Sequence, residues 1–587
     1  MPTSSFRRIL SQRVACSHAF WRNSLSDRAQ TSWLLHCTVS VGNRKTGSRL
    51  ARTMRHHIRL VLLAAMILLV AGCGASADLA APAPTASGAN ERSALTQSLT
   101  IVGGGAFPIT LDPAILRDAE SSFLSRQIFR GLMRLDNDLI VAPGIAAAVE
   151  ARPDGLLYTF TLREDATFHD GSAIDANSIK RSFERAADPA LAGGDDSALP
   201  ARIYFSDIAG IDDYFAGRSN SISGIRVVDP RTVEFTLSRP AANFLYKLTG
   251  SPAAIIDVDH AVGSDWWKTA NGSGPFRISE VSAQRIVLTG FDGFYAGAPQ
   301  LRRITVLFGS AAAQPLNLYE AGEIDMTDVP LGALDRVLSP ADPLYPELQS
   351  EPQLSTSFIV LNPAVEPFDD PMLRKAVAQA FDRTKVTRVM LEDRVRVADG
   401  LVPPGILDRQ WPATPVPYDL AAAHVDLESA SPHEIRPAFY GSGVSVALAE
   451  VLGRDLSLES EAIALEWSDF SNALIGRRLP AFSLSWIADY PDPANFLEAL
   501  FHSRSPDNYS GYSNPEVDSL LDKAAVEQDP DRRAQLYLQA QQQIIDDGVL
   551  IPLFHDIAYT LVKPYVHGLT LTPLGIISLE SVWIGEH

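Results

Sequence analysis

Trp486 and Asp489 close a short apolar run, Ala481-Phe482-Ser483-Leu484. One offers a flat apolar face, the other a full negative charge. In open α/β architectures, ligands occupy the crevice beyond the carboxyl ends of strands. The run reads as a strand stopped by Pro491 and Pro493, since Pro cannot donate to a sheet ladder. Asp492 before Pro493 has the form of an N-cap and first helical residue for a helix over 494–500. That role accounts for Asp492 and leaves Asp489 without a structural task. The plainer alternatives are an Asp that hydrogen-bonds its own turn and a Trp packed in a core. A second charge, Arg436, precedes Pro437 within a strand-like stretch over 434–440. The turn Tyr440-Gly441-Ser442-Gly443 and a helix over 446–452 follow it. Its plainer alternative is a surface ion pair.

Catalytic constellations are missing. The 440–443 turn lacks the third Gly of a dinucleotide fingerprint, because Val446 stands there. Gly272-Ser273-Gly274 lacks the outer residues of a nucleophile elbow. His433-Glu434 begins like a zinc helix, but Pro437 occupies the place of the second His. There is no Walker-type phosphate loop, and His169, His502 and His555 are scattered. Cysteine occurs only at 16, 37 and 73, so nothing after Cys73 can form a disulfide or a thiolate metal site. No enzyme, cofactor or metal is expected.

Residues 1–53 hold nine Lys/Arg against one acid, Asp27, and read as an upstream over-call or leader. Met54 opens a basic start, and Leu60 to Val70 is an apolar run of eleven residues, well short of the roughly 20 that a spanning helix needs. Residues 54–72 therefore have the form of a secretory signal. Leu69-Val70-Ala71-Gly72-Cys73 resembles the lipobox of bacterial lipoproteins, which implies lipid on Cys73 and anchoring outside the cytoplasm. Residues 73–97, rich in Ala, Ser and Pro, have the composition of a solvated linker. From Cys73 onward, 39 basic residues face 68 acids, a net charge of −29. Such a surface repels phosphate backbones, so nucleic acid is a poor partner.

The body begins with a strand-like 99–102 and a helix bearing Phe123, Leu124, Ile128, Phe129 and Leu132 at helical spacing. Leu156, Tyr158, Phe160 and Leu162 then alternate along a strand. Tyr158-Thr159-Phe160-Thr161-Leu162-Arg163, followed by Phe168-His169-Asp170-Gly171 and the helix from Ala176, resembles the hallmark of family 5 extracellular solute-binding proteins. These are the oligopeptide-, dipeptide- and nickel-type binding components of ABC importers. Gly272-Ser273-Gly274-Pro275-Phe276, Phe294-Tyr295-Ala296-Gly297, Gly511-Tyr512-Ser513-Asn514-Pro515 and Ile551-Pro552-Leu553-Phe554-His555 continue the resemblance in order.

The resemblance implies an α/β, bilobal, periplasmic-binding-protein-like fold of type II, with mixed sheets flanked by helices and an extra inserted domain. On that basis lobe I comprises 98–150, 240–312 and 556–587, the inserted domain 151–239, and lobe II 313–555. It also implies that Asp489 holds a ligand amino group, Arg436 a ligand carboxylate, and that Trp486 lines the site. A free peptide carries such charges at its two ends, and charge-assisted hydrogen bonds contribute roughly 1.5–3 kcal/mol each. The expected function is a lipid-anchored monomeric receptor that closes on short peptides and delivers them to an ABC permease and its ATPase. A nickel chelate, a glycan or an opine-like compound is the alternative ligand. A secreted hydrolase and a sensing or chaperone-like surface protein are the alternatives from other classes.

Overall fold

The computed structural model describes residues 97–587 apart from 104–106, 109, 195–198, 431–436, 442–443 and 577. The expectations for Cys73, for Arg436 and for the leader and signal segments therefore lie outside the described residues.

Two mixed sheets carry the architecture. The first has seven strands in the order Phe276–Val281, Arg285–Gly290, Arg303–Leu307, Ser98–Val102, Met326–Asp328, Ile557–Val562, Leu348–Pro352. The second has six, in the order Arg396–Val397, Leu550–His555, Ser355–Leu361, Ala481–Ile487, Ala438–Tyr440, Glu461–Ile463. Ser355–Leu361 is buried at every position and antiparallel to both neighbours. Its side chains alternate between two cores, as the two-residue period of a strand requires. Phe358 and Val360 join Phe482, Phe496 and Tyr537, whereas Ile359 and Leu361 join Phe368, Leu373 and Leu448. A four-stranded antiparallel sheet (Ala146–Ala151, Leu157–Leu162, Thr232–Thr236, Ile225–Asp229) packs with the helix Ala176–Ala186 around Phe160, Phe183 and Phe235.

The chain passes between the two large sheets twice, side by side. Leu348–Pro352 ends in the first and Ser355–Leu361 begins in the second; Leu550–His555 ends in the second and Ile557–Val562 begins in the first. The crossings are laced together: Gln353 N donates to Asp556 O (2.9 Å), and Ser355 Oγ donates to Asp556 Oδ2 (2.8 Å). Two short adjacent connections between packed bodies have the geometry of a hinge.

Residues 326–328 and 348–352, grouped from the sequence with the second lobe, pair instead into the first sheet. By sheet membership the changeover comes at 353–354, not at 313. One of these strands is three residues long and the other, Leu-Gln-Ser-Glu-Pro, has no apolar pattern, so neither announces which core it joins.

Candidate ligand-binding cleft

A cleft of 1390 Å³ lies between the two lobes. Arg117, Ser122 and Arg126 line it from the first lobe and Tyr204 from the segment between the strands Leu157–Leu162 and Ile225–Asp229. Trp486, Asp489, Asp507 and Tyr509 line it from the second lobe, and the hinge residues Gln353 and Asp556 also reach it.

Asp489 stands two residues past the strand Ala481–Ile487, beside the hinge. Ile487 pairs with Ser355, and Ala488 N donates to Leu354 O (2.8 Å). The buried Asn495, on the helix Ala494–Phe501, orients the turn. Its Oδ1 accepts from Asp489 N (2.9 Å) and from Trp486 Nε1 (3.3 Å), and its Nδ2 donates to Asp489 Oδ2 (3.1 Å). Trp486 is half-buried; it packs against the second-lobe core and lines the cleft. Across the cleft, the Tyr204 phenol faces Asp489. Burial first, and then the Asp489 charge, push its pKa well up, so it remains a donor.

The rest of the turn is anchored in two directions. Tyr490 is buried against Tyr204 and Tyr246, with ring centroids at 6.2 and 6.4 Å, within the core of the four-stranded sheet. Asp492 accepts from Ala494 N (3.0 Å), but Pro493 and not Asp492 is the N-cap residue, because the helix begins at Ala494, one residue later than expected. Its carboxylate also makes a buried two-pronged pair with Arg533, both contacts at 2.8 Å. That pair had no local sequence signal, because 41 residues separate its members.

The opposite wall is the helix Ala119–Ile128, capped by Asp118, whose side chain accepts from Ser121 N (2.8 Å). Its far end is held by the Gly-rich turn, where Ser273 N and Gly274 N both donate to Ile128 O (3.1 and 2.8 Å). A Cβ on Gly272 would lie 2.3 Å from Ile128 O, so only Gly permits this approach. His169 braces the turn from behind: it accepts from Gly272 N at Nδ1 (3.1 Å) and donates from Nε2 to Gly274 O (3.0 Å). Burial lowers its pKa to about 4, so it is neutral and structural.

Arg117 at the start of this wall reaches Asp507 of the second lobe at 3.5 Å, and Tyr509 Oη donates to the same carboxylate (3.1 Å). Burial raises the Asp507 pKa, against the pull of Arg117. Arg126, in the last turn of the helix, lies under the electrostatic influence of Tyr204 and Asp489.

Arg436 lies outside the described residues, but the strand that follows it does not. Ala438–Tyr440 runs parallel to Ala481–Ile487 with Phe439 beside Ala481, so its start lies at the sheet edge away from Asp489. The site residues that sequence reasoning missed are Asn495, Tyr204, Arg126, Arg117 and Asp507. Only Asn495, six residues beyond Asp489, had a local signal: an amide on the inward face of a helix whose one other polar residue is Glu498.

Residues 141–508, more than half of the chain, match the bacterial extracellular solute-binding proteins, family 5 Middle. The chain is 28% identical over 558 residues to the periplasmic oligopeptide-binding protein OppA of Salmonella typhimurium, covering 88% of this chain and 98% of that one. The structure of Burkholderia pseudomallei OppA is similar at a TM-score of 0.73 and 26% identity, over 83% of this chain and 99% of that one. The Escherichia coli murein tripeptide binding protein MppA shares the fold, with a TM-score of 0.74 at 22% identity over 84% of this chain and 99% of that one. The two lobes, their mixed sheets and these likenesses agree: the chain belongs to the family 5 bacterial extracellular solute-binding proteins, which bind solutes and are not enzymes.

Proposed function

We propose that this chain captures short peptides outside the cytoplasm and hands them to an ABC permease driven by its ATPase. In this reading Asp489 receives the ligand's N-terminal ammonium and Trp486 walls the same end of the cleft. Arg436 takes the carboxylate on the strength of the family resemblance alone, and Cys73 carries the lipid that tethers a monomeric receptor to the membrane. The observation that carries the reading is the carboxylate of Asp489 at the wall of an interlobe cleft, with one oxygen held by Asn495. A fixed carboxylate facing a phenol in a half-closed space is suited to a primary ammonium, whose hydrogen bonds it accepts with charge assistance. The hinge at 353–354 and 555–557 supplies the motion. Contacts made only in the closed form pull the open–closed equilibrium towards closure.

Titration calorimetry with a tripeptide library and the N-acetylated form of each binder tests this. Acetylation or Asp489→Asn is expected to weaken binding by about 2–5 kcal/mol, the cost of truncating one partner of a buried charge pair. Undiminished affinity in both cases would remove Asp489 from the site. Mass spectrometry of whatever copurifies separates peptides from chelates, glycans and opines.

A further inference from the structure

Among the described residues, Arg126 is a guanidinium on this wall of the cleft that makes no hydrogen bond or ion pair with the protein. Three neighbouring arginines are engaged: Arg117 with Asp507 (3.5 Å), Arg130 with Glu580 (2.7 Å) and Arg185 with Asp112 (2.5 Å). Arg126 has no hydrogen-bond or ion-pair partner among the described residues, although it is half-buried. It senses the Asp489 carboxylate and Tyr204 without being within ion-pairing distance of either. A guanidinium presents five donors in a rigid fork. None of the Arg126 nitrogens is shut off from solvent, so its donors are met by water and remain available to a ligand in the cleft. Arg130, in the short strand that follows the helix, adds like-charge repulsion. Burial and Arg130 both lower the Arg126 pKa, while Tyr204 and Asp489 raise it. The helix is clamped at Ile128 by the Gly-rich turn, so its last turn, which carries Arg126, has little freedom to swing towards a protein acceptor.

The space between Arg126 and Asp489 is therefore bounded by a donor fork on one side and an acceptor on the other, with the cleft between them. An ammonium on Asp489 would place the atoms next to it in the cleft that Arg126 also lines. In a peptide the first acceptor along the chain is the carbonyl oxygen of the N-terminal residue. The cleft, at 1390 Å³, exceeds the roughly 300–1,000 Å³ of ordinary small-molecule pockets, so the ligand continues beyond this point. We infer that Arg126 is a specificity-determining residue that donates to the carbonyl oxygen of the ligand's first residue, so that the cleft reads an ammonium and its adjacent carbonyl together. The inference rests on the peptide reading above. It makes a simple alkylamine a poor ligand even though its ammonium suits Asp489.

The test is calorimetry of tri-alanine against an analogue whose first peptide bond is a trans-alkene, which keeps the shape and deletes the carbonyl oxygen together with the N–H. The wild-type protein is expected to bind tri-alanine about tenfold more tightly than the alkene, the effect of one charge-assisted hydrogen bond. In Arg126→Met that gap is expected to shrink to about threefold or less, leaving the other contacts to the bond. Arg126→Lys keeps the charge and loses the fork, and is expected to fall between them; it also serves if Arg126→Met does not fold. An equal gap in the wild type and in a folded Arg126 variant overturns the inference while the peptide reading stands. Tri-alanine binding with no gap in the wild type does the same. Failure of the wild type to bind tri-alanine overturns both.

Discussion

Asn495 holds Asp489 by backbone and side chain at once, accepting from its N–H at 2.9 Å and donating to its Oδ2 at 3.1 Å. The same Oδ1 takes the indole N–H of Trp486, so one buried amide fixes both residues of the Trp-x-x-Asp segment. The carboxylate faces the cleft in a set direction because a helix inside the second lobe holds it there. A carboxylate positioned in this way spends less ordering entropy on binding than one on a free turn.

Replacing Asn495 by Ala is expected to weaken peptide binding by about 1–3 kcal/mol, the cost of stranding buried hydrogen-bonding groups. Thermal unfolding should fall with it, since Asp489 N–H also loses its acceptor. The informative comparison is Asn495→Ala in an Asp489→Asn background, measured by calorimetry. If the two losses simply add, Asn495 does not act through Asp489.

The Asp492–Arg533 pair ties the other end of the turn to the long helix Pro530–Asp546. Arg533→Met should destabilise the protein by about 3–5 kcal/mol, because it leaves a carboxylate with 1% exposure unpaired. Adding Asp492→Asn should recover part of that loss, since Asn keeps an acceptor for Ala494 N and carries no charge. Urea unfolding of the three proteins reads the result. A single variant within about 1 kcal/mol of wild type would mean that the pair is replaceable by packing.

His555 ends the last strand of the six-stranded sheet, beside the hinge, and donates from Nδ1 to Ser355 O (2.9 Å). Burial lowers its pKa from 6.5 to about 4. The unfolded chain therefore takes up a proton between those values that the folded chain refuses. The stabilisation tied to its neutral form is present above pH 6.5 and is lost as pH falls towards 4, on the order of 3 kcal/mol in total. His169, lowered to about 4 by the same cause, adds a second contribution of the same sign. His555→Gln should flatten the stability profile between pH 7 and 4 in denaturant titrations. An unchanged slope would place the acid sensitivity elsewhere.

Much of the architecture was legible in the chain. Alternation over 156–162, the apolar run at 481–484 and the prolines at 491 and 493 each named a strand or its end that the structure contains. Trp486 and Asp489 could be singled out because a strand end, a turn and a cap occupy consecutive residues. The lobe boundary was placed too early because the strands at 326–328 and 348–352 are short or polar, and their partners, at 98–102 and 557–562, lie more than two hundred residues away.

Local chemistry in the sequence determined where strands and turns fall around this site, and that a charge without a structural task stood at one strand's end. Only the tertiary structure decided what that charge meets. Tyr204, from the segment between the strands Leu157–Leu162 and Ile225–Asp229, and Asn495, from a helix of the second lobe, face Asp489, and the charge of Arg126 acts on it from a helix of the first. Hydrogen bonds and charges act over a few ångströms of space whatever the separation along the chain. The juxtaposition of residues 126, 204 and 489 therefore exists only once two lobes are built and brought together.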